Sequence, residues 1–123
     1  MLQIRPEQYE VLNKYARENF IKRVYQYFLD EWKKECRDMN QEELEGMIRK
    51  GIEDAESYDI EIEADVVKYL EICLQLGEEF SASPDFPWAQ DILLNQETDG
   101  TIKVEQLRNY TIQLLDDLAD MGE

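Results

Sequence analysis

The chain has 123 residues, of which 29 are acidic and 13 basic, so it carries a net charge of −16, and it contains no histidine. That balance disfavours nucleic acid as a direct ligand, because such binding depends on Lys and Arg neutralising phosphates, and the missing histidine removes the commonest general base and the commonest nitrogen metal ligand. The length suits a single domain with its own core and no metal or disulfide staples, no apolar run reaches bilayer-spanning length, and the first ten residues lack the features of a secretory signal, so the expectation is a cytoplasmic chain with no membrane segment.

Pro6 suits a first helical turn, and Tyr9, Leu12, Ala16, Phe20, Val24, Phe28 and Trp32 then recur at spacings of three and four, with Ile21, Tyr25 and Leu29 beside them. This predicts one long helix to about Cys36, or two with a bend. Lys14, Arg17, Lys22, Arg23, Lys33, Lys34 and Arg37 make it the one locally basic stretch, expected to face the acidic remainder of the chain. Asn40 and Glu43 have capping-box spacing, and Leu44, Met47, Ile48, Ile52 and Ala55 supply a second helical face. Gly46 and Gly51 inside that helix predict close approach of a neighbouring helix.

From Glu53 through Asp54, Glu56, Asp59, Glu61 and Glu63 to Asp65 the chain is dense in carboxylates and has no basic residue. Alternation of Asp59, Glu61 and Glu63 with Ile60 and Ile62 is read as an extended connector, since a lone strand lacks a partner. Residues 66–80 follow, with polar positions confined to the stripe Lys68, Glu71, Gln75 and Glu78 and apolar residues on the rest of the wheel. Such a helix, about residues 64–80, is the expected centre of the fold. Cys36 and Cys73 lie in apolar patterns and read as free buried thiols. A two-proline loop leads to a short helix at Pro87, with Phe86 and Trp88 placed to plug the end of the bundle. Val104, Leu107, Thr111, Leu114, Leu118 and Met121 then define a last helix of about twenty residues. The fold class is all-α: a single-domain bundle of four to five helices around the central one.

Two kinds of site invite testing. Residues 95–106 imitate a calcium loop, with Asn95, Glu97 and Asp99 at the first, third and fifth positions and Gly100 at the sixth. The closing residue is Gln106, whose amide cannot supply bidentate charge, so a helix-turn-helix link is the favoured reading and no metal or cofactor is expected. The acidic stretch is the other. Its surplus charge either keeps the protein soluble or meets a basic protein partner. Glu53, Glu56, Asp59, Glu61 and Glu63, with Tyr58 beside them, are the candidate partner-binding residues, together with Phe86 and Trp88. Tyr15, Tyr25 and Tyr69 are assigned to the core. Asp116, Asp117 and Asp120 read as a solvated helix face, and no constellation suggests an enzyme.

The opening IRPEQ, Phe20 with Arg23, GIEDAESYDIEIEADVVKYL from Gly51 and LGEEFSASPDFPWAQDIL from Leu76 resemble a family of small helical proteins encoded beside type VI secretion spike and effector genes. The resemblance runs from Ile4 to about Leu94 and leaves out the last helix. It implies a cytoplasmic accessory whose partner is a secreted effector, toxin or spike protein, and it brings no catalytic residues. An adaptor or chaperone is the preferred form; an immunity protein that plugs a basic toxin with its acidic surface is the alternative.

Overall fold

A computed structural model describes residues 14–121. Among them are six helices: α1 (Lys14–Glu31), α2 (Lys33–Cys36), α3 (Gln41–Ser57), α4 (Glu63–Leu76), α5 (Pro87–Leu93) and α6 (Gly100–Met121). The all-α bundle expected from periodicity is the observed architecture, with more helices than the four or five read from sequence. The expected start at Pro6, with Tyr9 and Leu12, lies outside the described residues.

Phe20, Ile21, Val24 and Phe28 form the buried stripe of α1, and Leu44, Met47, Ile48, Ile52 and Ala55 that of α3. The first helix breaks at Trp32, whose backbone leaves the helical region at φ −123° and ψ 45°. No Gly or Pro marks that break. It coincides with a tertiary contact, since Trp32 Nε1 and Tyr27 Oη both donate to Glu71 Oε2 on α4, at 3.3 and 2.6 Å. Tyr15, assigned to the core from spacing, is 83% exposed, and Leu29 also faces out. The stripe is wider in sequence than the surface available to cover it. Tyr25 is half-buried against the core, and Tyr69 is fully buried.

The capping box of α3 is complete: Glu43 N donates to Asn40 Oδ1 at 2.8 Å, and Asn40 N donates to Glu43 Oε1 at 2.9 Å. Its two glycines differ. A Cβ on Gly51 would collide with the Leu70 side chain of α4, whereas one on Gly46 would meet nothing within 4 Å, so the close approach holds only at Gly51.

Helix α4 is the central element, with Val66, Tyr69, Leu70, Ile72 and Cys73 all buried. It stops at Leu76, four residues before the expected end, because Gly77 takes φ 106° and donates its N–H to the Cys73 carbonyl at 2.8 Å. Phe80 instead begins a 3-10 turn, Phe80–Ala82, and its ring packs 5.2 Å from that of Tyr69. Both cysteines are free and buried, and burial pushes both thiols up in pKa.

The connector between α3 and α4 is not a plain extended segment. Asp59 has φ 66°, Ile60 N bonds back to the Ala55 carbonyl, and Ile60 is buried while Ile62 is exposed. The start of α6 lies directly on it. Gly100 permits this, since a Cβ there would stand 2.5 Å from the Asp59 carbonyl oxygen. Thr101 Oγ1 donates to Asp65 Oδ2 at 2.6 Å, and the buried Lys103 donates from Nζ to the Tyr58 carbonyl at 3.0 Å. From that anchor α6 runs alongside α4 in the same direction, bringing Arg108, Thr111 and Ile112 beside Lys68, Glu71, Ile72 and Gln75. The fourteen residues of α4 span about 21 Å and the twenty-two of α6 about 33 Å, so the last turns of α6 run past the end of α4.

Candidate functional site

The acidic stretch folds into three environments. Glu53 and Asp59 are exposed. Glu56 and Glu63 are held by the basic first helix, in ion pairs with Arg17 and with Arg23, whose one terminal nitrogen Nη2 reaches both Glu63 oxygens at 3.1 and 3.2 Å. Arg17 and Arg23 thus face carboxylates as expected of α1, whereas Glu18 of α1 reverses the polarity, accepting from both terminal nitrogens of Arg49 on α3 at 2.6 and 2.9 Å. Asp65 is buried and hydrogen-bonded to Thr101. Asp54 is partly buried, and that burial raises its carboxyl above the usual range. Seven carboxylates close together in sequence are therefore not one solvent-facing surface.

Asp59, Glu61, Ile62, Asp65, Asp99, Gly100 and Thr101 line a cleft of about 260 Å³ where the connector meets the start of α6. Tyr58 stands behind it, half-buried against the core, with its hydroxyl accepting from Gln90 Nε2 at 3.3 Å. Its ring packs partly against the core at the end of α3, which leaves less of it open to a partner than its place beside the acids suggests.

The calcium-like stretch is a short turn followed by helix. Asn95 Oδ1 accepts from Glu97 N at 2.9 Å, and Asp99 Oδ1 accepts from Ile102 N at 2.9 Å as the N-cap of α6. Gly100 opens α6, so Gln106 sits on a helix and not at the close of a loop. No group of three or more His, Cys, Asp or Glu among the described residues is arranged to hold a metal ion.

Phe86 and Trp88 are half-buried and packed against the core, with ring centroids 5.9 Å apart. Trp88 also stacks on Tyr110 of α6, at 5.0 Å with the planes 11° apart. These rings fasten α5 to α6, which leaves less of them to offer a partner than the sequence suggests.

What periodicity concealed lies on α6. Val104, Leu107 and Thr111 are buried, yet on the same stripe Leu118 is 53% and Met121 80% exposed, with Leu114 half-buried between. Ile112 and Tyr110 are exposed beside them. The signal available was length, since a twenty-residue stripe was set against a shorter central helix. A second apolar groove, about 260 Å³, lies between α1 and α4, lined by Phe20, Arg23, Val24, Tyr27 and Val67. No helix among the described residues is long and apolar enough to cross a membrane. No family model, no curated protein and no solved structure matches the chain.

Proposed function

We propose that this chain is a non-enzymatic, cytoplasmic protein-binding accessory, an adaptor or chaperone for a type VI secretion effector or spike protein. The type VI assignment rests on the resemblance carried by residues 4–94. The binding role rests on one observation: Leu118 and Met121, continuing an apolar row from the half-buried Leu114, stay open to solvent at the end of α6 in a strongly charged chain. Exposed contiguous apolar surface of this kind marks interaction sites.

The ion pairs weigh the adaptor above the immunity protein. A toxin plug needs a continuous acidic face, and here Arg17 and Arg23 already neutralise Glu56 and Glu63 while Asp65 is buried. The test is a tagged pull-down from the native cell with identification of the copurifying protein. The expected partner is a spike or effector segment outside any toxic domain, retained when Glu53 and Asp59 are both changed to Lys. Capture of a toxin domain whose activity is abolished on binding, with loss of the complex in that double variant, would establish the immunity role instead.

A further inference from the structure

We infer that the second half of α6 is a docking surface for a basic amphipathic helix of another protein; the inference rests on the protein-binding role just proposed and names its surface and partner chemistry.

The apolar stripe of α6 falls at Val104, Leu107, Thr111, Leu114, Leu118 and Met121, spacings of three, four, three, four and three. That is the a and d pattern of a coiled-coil seam, whose holes a second helix fills with its own apolar side chains. The first half of the seam is filled by this chain, with Val104, Leu107 and Thr111 buried against the bundle. The second half runs past the end of α4, and Leu118 and Met121 stand mostly in water. The backbone of α6 is already hydrogen-bonded within the helix, so what remains to be matched is a side-chain stripe, which a helix matches and an added strand does not.

Charge selects among helices. After Arg108 the sequence has no basic residue, and Asp117 flanks the stripe directly, with Asp116 and Asp120 farther round the same helix. Two copies meeting at this face would bring their Asp117 carboxylates towards each other on chains that each carry a net −16, with no basic residue on this half of the helix to offset them. A helix with Leu or Ile on one face and Lys or Arg flanking it satisfies both features.

The probe is a synthetic amphipathic helix with Leu at every a and d position and Lys at the flanking ones, beside a twin with Glu in place of Lys, each titrated by fluorescence anisotropy. The expected result is binding of the Lys peptide alone, weakened at least about tenfold by Leu118→Asp. The sign of that change is informative, because the substitution adds negative charge and would strengthen a purely electrostatic association. Leu94→Asp, exposed on the turn after α5, is the control and should leave binding unchanged. Equal binding of both peptides, no binding, or indifference to Leu118→Asp overturns the inference. A dimer in sedimentation that Leu118→Asp dissolves would give the face to a second copy. A stripe freed for the peptide only when residues 1–13 are deleted would give it to the chain's own first segment. Either overturns the assignment to another protein. A natural spike or effector that binds the Leu118→Asp chain undiminished overturns this inference and leaves the accessory role standing; Leu118-dependent peptide binding with no secretion partner does the reverse.

Discussion

The two halves of α6 carry one continuous stripe and meet opposite fates. Residues up to Thr111 are pinned by backbone contact at Gly100, by the Thr101 to Asp65 and Lys103 to Tyr58 hydrogen bonds, and by burial of Val104 and Leu107. Beyond the half-buried Leu114 the same pattern, at Leu118 and Met121, faces water. The difference teaches that hydrophobic periodicity states which side of a helix is apolar, while the length of the neighbouring helix decides how much of that side becomes core.

The sharpest way to break the comparison is a matched pair of truncations. Leu107→Ala, at a position that is 0% exposed, should cost about 2–5 kcal/mol in urea unfolding. Leu118→Ala, 53% exposed, should change stability by less than about 0.5 kcal/mol. Equal costs would mean that both halves belong to one core. The glycines of α3 sharpen the same contrast between packed and open helix. Gly51→Ala drives a methyl into Leu70 and should destabilise by about 1–3 kcal/mol, whereas Gly46→Ala has open space and should gain up to about 1 kcal/mol.

A smaller effect is expected inside the core. Tyr69 Oη is buried with no well-formed hydrogen bond among the described residues, Ser81 being the polar side chain nearest to supplying one, so Tyr69→Phe should leave the melting temperature unchanged or slightly raised. The smallest concerns Asp54. Burial raises its carboxyl, so ionisation costs the folded state; the penalty is absent below the ordinary carboxylate range and complete above the raised value. Asp54→Asn should therefore stabilise the protein at pH 7 and lose that advantage as the pH falls to about 4.

The fold was largely legible because its signals are local: the Asn40 capping box, Pro87 at a helix start, and the nearly all-round apolar pattern of residues 66–76. The end of α4 was missed because Gly77 was read as one more helical residue, although its φ of 106° ends the helix there. Tyr15 was misplaced for the reason that conceals the end of α6, a stripe that outruns its cover. The candidate site was less legible. Glu56 is paired across 39 positions with Arg17, and Glu63 across 40 with Arg23, separations over which sequence carries no record of contact. Asp65 resembled its acidic neighbours and is buried under the start of α6, where Thr101 hydrogen-bonds it.

Hydrogen exchange followed by mass spectrometry on the unliganded monomer tests the central claim most directly. Amides of residues 104–111 should exchange at the slow rate of α4, and those of residues 115–121 several orders of magnitude faster, as expected for a helical end with little tertiary packing. Uniform slow exchange along the whole of α6 would contradict the account, because the second half would then already have its partner within the chain.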